Sequence, residues 1–268
     1  MCLVWVMVRF RSMSIAFAVV AALAGCSNSG TATTAAAPPT SDTQVTTERA
    51  EPTTTSASAT SHAEEPYVLG STRVTGSTEH ATYDVGIPQL SGGDPAVTAE
   101  FNESMRAALQ DQIDGHQGLD FALSDGYSSG ASHIGRHVVS VEQITDWIAV
   151  PPGAHGDSLI ATVTIDTDTA QPITLGDAFT DLDAGLSRLS EQAAKILPST
   201  RAGESFERSG IEPTVANFAN WTASPEGMNI HFGDYQVGAY GIGLITITVP
   251  WNALSDVLAP GMQDVLSS

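Results

Sequence analysis

Of the 39 residues from 27 to 65, 28 are Ser, Thr, Ala or Pro, and Val45 is the only large aliphatic among them. A stretch so poor in apolar side chains cannot bury enough surface to offset the entropy of ordering it. It therefore predicts a disordered linker over residues 26–66. That limits the fold: a core must be built from the roughly 200 residues that follow, a size that suits one core or two small subdomains. As a random coil of about 5–6 Å times the square root of its length, the linker spans about 35 Å on average.

Ahead of the linker, residues 1–25 read as a targeting segment. Arg9 and Arg11 form a positive start, IAFAVVAAL is an apolar run too short to span a bilayer, and small residues lead to Cys26. "LAGC" is a lipobox, with cleavage between Gly25 and Cys26 and diacylation (palmitate among the chains) of the Cys26 thiol. The expected location is the cell membrane, facing outside the cytoplasm and held by lipid alone. Cys2 falls in the leader, so the mature domain keeps no thiol for a disulfide, and packing must stabilise it.

Without Arg9 and Arg11 the chain carries 8 basic against 30 acidic residues, a formal net charge of −22, with Lys195 its single lysine. That excludes nucleic-acid binding through phosphates. It favours a cationic protein or a neutral cell-wall glycan as partner.

Strand-like stretches lie within residues 73–87, and Pro88 is expected to close them. A helix then starts with Asp94 as N-cap and Pro95 at its first position, and Gly115 ends it. Its apolar face is Val97, Phe101, Met105, Ala108, Leu109 and Ile113. Two strands at residues 137–150 and 159–165 flank the loop "PPGAHGDS". A second helix carries Leu182, Leu186, Leu189, Ala193, Ile196 and Leu197 on one stripe and stops at Pro198. Strands follow at residues 228–232 and 244–249, and Asn252 is expected to cap a last helix through Leu258. Without a helix between every pair of strands, the fold class is α+β: largely antiparallel sheets, two main helices and two small subdomains, at residues 67–130 (α/β) and 131–268.

Two segments carry a family signal. "PPGAHGDSLIATVTIDTDTAQPITLGDAF" has a Gly-Ala-His turn, an apolar strand, an Asp-centred turn and an Ile-Thr-Leu-x-Asp-x-Phe ending. "MNIHFGDYQVGAYGIGLITITVPWNAL" has a strand, Phe-x-x-Tyr, a second Tyr among glycines, a β-branched strand and a Pro-aromatic helix start. In this order they resemble the RsiV-like family of bacterial envelope domains, over about residues 67–266. The resemblance implies an extracytoplasmic module whose relatives include a lysozyme-binding anti-sigma factor and a mycobacterial secreted immunogenic protein. Here no cytoplasmic helical domain precedes the anchor, so the expected role is capture of a ligand such as a basic lysozyme, without signalling, cofactor or catalysis.

The candidate ligand contacts are His155 in "GAHG" and the pair Tyr235 and Tyr240, which flank Gly238. A turn histidine bridging backbone groups and two packed tyrosines are the structural alternatives. "GYSSG" at residues 126–130 satisfies the G-x-S-x-G pattern, so an envelope hydrolase, esterase or glycan deacetylase, using Ser128 or His155 is a second reading. The helix that a nucleophile elbow needs is not predicted after Ser128. A surface antigen or structural lipoprotein is the third. His133 and His137 are four apart but lie in strand-like sequence, so no metal site is expected from them. Asp166, Asp168, Asp177, Asp181 and Asp183 lack a calcium-loop pattern; a β-turn role for Asp166 and Asp168 and a helix cap at Asp181 are expected instead.

Overall fold

The computed structural model describes residues 65–115, 118–127 and 130–268. The expectations for the leader, Gly25, Cys26, almost all of the linker, and Ser128 lie outside the described residues.

Strands β1 (Val68–Ser77) and β2 (Ala81–Ser91) form an antiparallel hairpin. Helix α1 (Pro95–Asp114) carries the chain over to β3 (Phe121–Asp125), which pairs parallel to β2. Such a pairing needs a long crossover, and α1 supplies it. Strand β4 (Ser132–Ile134) is short; β5 (Val138–Ala149) and β6 (Asp157–Asp166) make a long hairpin, and β7 (Gln171–Pro172) closes the edge. The sheet order is β1-β2-β3-β5-β6-β7, with β4 also paired to β5. After α2 (Leu175–Ala178), α3 (Leu182–Ile196) and α4 (Val215–Phe218), a second sheet runs β10-β9-β8. Its strands are β8 (Trp221–Ala223), β9 (Gly227–Phe232) and β10 (Ile245–Pro250), and α5 (Trp251–Leu254) and α6 (Met262–Leu266) end the chain. The α+β class with largely antiparallel sheets and two main helices is what the sequence pattern implied.

The Asp94 side chain accepts from the N–H groups of Ala96 and Val97, satisfying donors that the first turn of α1 leaves open. Val97, Phe101 and Met105, all fully buried, then lie against Val139, Val141, Val163 and Ile165. Leu109 and Ile113 continue the stripe onto Val85, Ile87, Phe121 and Leu123. One face of the first sheet is thus covered by α1. A fully buried Phe or Met stabilises by about 1.5–3 kcal/mol, so this face carries much of the stability of the first sheet.

The opposite face of β5 and β6 meets β8. The Ala223 N–H donates to Ser140 Oγ at 2.8 Å and the Trp221 N–H to Thr162 Oγ1 at 3.3 Å. Side-chain hydroxyls of the first sheet thereby satisfy an edge of the second that would otherwise be open. On the second sheet, Ile245, Ile247 and Val249 alternate inward and join Leu186, Leu189, Ala193 and Leu197 of the α3 region in the largest core.

Three details differ from the sequence expectation. Pro88 lies inside β2 instead of ending it. The N–H groups of Gly86 and Leu90 point away from β1, to Asp125 Oδ1 and Asn102 Oδ1, so the missing N–H of Pro88 falls where no strand pairs. The first sheet runs on through the expected 130/131 boundary, because β3 and β5 are neighbours; the change of sheet comes after Pro172. Finally, the last helix is split into α5, which follows Pro250 and has no side-chain cap, and α6, so Asn252 is not a cap. Among the described residues no helix is long and apolar enough to cross a membrane.

Candidate ligand-binding site

The turn of the β5–β6 hairpin, residues 150–156, meets the β9–β10 connection, residues 233–244, at one corner of the molecule. The His155 ring stacks on Tyr240 with centroids 3.9 Å apart and planes 21° apart. Tyr235 lies 5.5 Å from Tyr240 and 6.1 Å from His155, centroid to centroid. The three residues singled out as ligand contacts are therefore brought together, from segments 80 residues apart.

The hydrogen bonds fix the imidazole. Nδ1 is 2.9 Å from the Gly156 carbonyl oxygen, and Nε2 is 3.1 Å from the Tyr235 hydroxyl. In the neutral ring Nδ1–H donates to the carbonyl, and Nε2 accepts from the phenol. The imidazole therefore bridges one backbone carbonyl and one side chain, not two backbone groups, while its face packs on Tyr240. Tyr235 is 55% exposed and has φ +64°, the left-handed region, which costs a residue with a Cβ about 1–2 kcal/mol. A tight turn imposes this conformation: the Gln236 N–H donates to the Gly233 carbonyl, while the Gln236 side chain accepts from the Gly233 N–H.

Carboxylates surround the rings. Asp157 Oδ1 is 3.8 Å from His155 Nδ1 and is buried without a hydrogen-bond partner among the described residues. Asp234 Oδ2 accepts from the Ser158 N–H at 2.8 Å. Asp146 stands opposite Ser158 in the β5–β6 register. Burial pushes the Asp146 carboxyl above the usual carboxylate range; the Asp234 charge adds to this, against a hydrogen bond from Ser158. The Tyr240 phenol is also pushed up, by desolvation first and then by Asp234, Asp157 and Asp146. This corner is thus a negative field over aromatic faces. Asp157 and Asp234 adjoin the contact residues in "AHGD" and "GDY", so the sequence did carry their signal. Asp146 enters only through strand register.

Of the "GYSSG" stretch, Gly126, Tyr127 and Gly130 are described, and they lie between β3 and β4 of the first sheet. The chain re-enters it as a strand, where a nucleophile elbow would have a helix. Glycine is required at position 130, because a Cβ there would overlap the Glu142 carbonyl. His133 Nε2 lies 2.8 Å from the Ser268 carbonyl oxygen, and His137 Nδ1 lies 2.8 Å from Asp168, so the two histidines face different partners. Asp166 accepts from the N–H groups of Asp168 and Thr169 in a turn. Asp181 caps α3, and Asp177 forms a capping box with Thr174. Among the described residues no group of three or more His, Cys, Asp or Glu side chains is placed to hold a metal ion.

A buried pair that the sequence did not reveal joins the sheets. Glu142 Oε1 on β5 is 3.0 Å from His231 Nδ1 on β9, with the side chains 7% and 1% exposed. Glu142 Oε2 accepts from the Ala131 N–H, and His231 also reaches Thr222 Oγ1 (2.9 Å) and Thr246 Oγ1 (3.1 Å). Burial pushes the Glu142 carboxyl up, but the hydrogen bond and charge of His231, with the Ala131 N–H, bring it below its ordinary value.

Residues 177–252 match the model of a family described as "Protein of unknown function (DUF3298)". The chain is similar in structure to a DUF3298 family member from Bacteroides fragilis, with 13% identity and a TM-score of 0.47, over 76% of this chain and 99% of that one. A DUF3298 family protein from Pseudomonas aeruginosa is similar at the same identity and TM-score, over 74% and 96%. No curated protein matches the chain.

Proposed function

We propose that this protein is a cell-envelope binding module, tethered through lipid on Cys26, which captures a cationic protein at the corner formed by His155, Tyr235 and Tyr240. It binds its partner without acting on it chemically. The observation that carries this reading is the convergence of three aromatic rings and three carboxylates, Asp146, Asp157 and Asp234, from the β5–β6 hairpin and the β9–β10 connection. An arginine or lysine placed there would meet ring faces and negative charge together, a combination worth about 0.5–2 kcal/mol from cation–π attraction alone. The net charge, −20 for the whole chain and −22 without Arg9 and Arg11, would steer such a partner from a distance.

A basic lysozyme is the partner that the RsiV-like resemblance implies. The DUF3298 match spans residues 177–252, which include Tyr235 and Tyr240, and that family is described as one of unknown function. The lipid anchor rests on "LAGC" and is checked by mass spectrometry of the mature chain beside Cys26→Ser.

The test of the binding site is calorimetric titration of the full chain, in detergent, with a basic lysozyme at low and at raised salt. Saturable 1:1 binding that persists at raised salt, and is weakened at least tenfold in Tyr235→Ala and in Tyr240→Ala, is expected. Absent binding, binding that disappears with salt, or binding indifferent to both substitutions refutes the proposal.

A further inference from the structure

The break between β3 and β4 leaves part of the first sheet unpaired. β3 pairs with β5 from Thr145 to Ala149, and β4 pairs with it from Val139 to Val141. β2 is paired to β3 only as far as Asp84. Beyond that point, among the described residues, no strand lies between β2 and β5. The gap opens as a cavity of about 540 Å³, lined among others by Ser71, Arg73, Gly86, Asp125, Tyr127 and Gln143. This is within the range of small-ligand sites.

The chemistry of the lining is specific. The Arg73 guanidinium is held between Asp84, at 2.5 Å, and Asp125, and Asp125 Oδ1 in turn accepts from the Gly86 N–H at 2.6 Å. Among the described residues, two of the five guanidinium N–H donors are thereby used on a half-exposed side chain. Gly86 keeps the floor flat, since a Cβ there would come 3.0 Å from Ser71 Oγ and 3.4 Å from Asp125 Oδ1. Tyr127, 65% exposed, stands at the rim, with its hydroxyl directed to the neighbourhood of Gly243. Gln143 is 4% exposed, and its Oε1 has no hydrogen-bond partner among the described residues.

We infer that this cavity is a binding site for a neutral carbohydrate of a few sugar rings. One guanidinium between two carboxylates leaves a net negative charge, which disfavours an anion, while the fixed cation disfavours a second one. Hydroxyl groups both donate and accept, so vicinal hydroxyls match the alternation of Arg73, Asp125 and Ser71 along the lining. The exposed Tyr127 ring offers an apolar face to the C–H face of a pyranose, with a polar tip at its edge. None of these residues belongs to the His155 corner, so the site stands or falls independently of the cationic partner.

The experiment is titration of the full chain, in detergent, with neutral trisaccharides of glucose, mannose and N-acetylglucosamine, read by calorimetry and by saturation-transfer NMR. Saturable binding of at least one is expected, weakened tenfold or more by Tyr127→Ala, kept by Tyr127→Trp and unaffected by Tyr235→Ala. Tyr127 is exposed on a loop, so its replacement does not threaten folding; Arg73→Gln, which keeps a planar donor, gives a second and smaller loss. Failure of all three sugars to bind overturns the inference. So does undiminished binding in both Tyr127→Ala and Arg73→Gln, or binding removed by Tyr235→Ala.

Discussion

Replacing His231 by leucine leaves Glu142 buried with an uncompensated charge. In the native protein burial raises the Glu142 carboxyl, yet the hydrogen bond and charge of His231 hold it below its ordinary 4.5. A depressed folded value means that the pair contributes stability fully above 4.5 and loses it as the pH falls through the folded value. In His231→Leu only the Ala131 N–H still supports the carboxylate, so burial prevails and the folded value moves above 4.5. The sign then reverses: the variant is penalised as the pH rises past 4.5, and the penalty fades at lower pH, where the carboxyl is neutral.

Breaking a buried pair by removing one partner costs about 3–5 kcal/mol. The hydroxyls of Thr222 and Thr246 also lose a partner, at about 1 kcal/mol each or less, partly offset by the added apolar side chain. A net loss of about 3–5 kcal/mol is therefore expected near neutral pH. With a urea slope of about 2 kcal/mol/M, the midpoint falls by about 1.5–2.5 M. The assay is urea unfolding followed by far-ultraviolet circular dichroism, at about pH 7 and at about pH 4, above and below the ordinary value for Glu. A loss below about 1 kcal/mol, or the same loss at both pH values, refutes the reasoning.

Other outcomes follow from single contacts. Asp94→Ala removes the α1 cap and is expected to cost about 1 kcal/mol, read as a lower thermal midpoint; no change would mean that the cap is replaced by water. Gly130→Ala forces a Cβ onto the Glu142 carbonyl and should cost about 2 kcal/mol or more, where an ordinary loop glycine would cost well under 1. The Asp146 carboxyl is raised in the folded state, so its ionisation opposes folding as the pH rises through and above its ordinary 3.8. Asp146→Asn should therefore be more stable than the native protein near neutral pH and no more stable under acid; equal stability in both conditions would contradict the crowding of charge at this corner.

The local elements were legible because each rests on near-neighbour chemistry. Asp94, Pro95 and a 3–4 spacing of apolar residues specify α1 without help from the rest of the chain. Alternation of Ile245, Ile247 and Val249 does the same for β10. The candidate contacts His155, Tyr235 and Tyr240 were also legible as loop residues, since glycines flanking a ring or a histidine mark turns. What the sequence could not give was partnership. Asp146 lies in the middle of a strand, and only pairing with β6 brings it to Ser158 and the carboxylates of the corner. Glu142 and His231 are ordinary residues in two unrelated strands until the second sheet settles on the first. Pro88 reads as a strand end because a proline's missing N–H matters only if a strand lies on that side, and which side is vacant is decided by where β3 stops. The sequence alone determined the two long helices and the main strands, through period, capping and turn chemistry. The tertiary structure alone decided which loops meet, which carboxylates share a field and where the sheet is left open, because these depend on contacts between residues far apart in the chain.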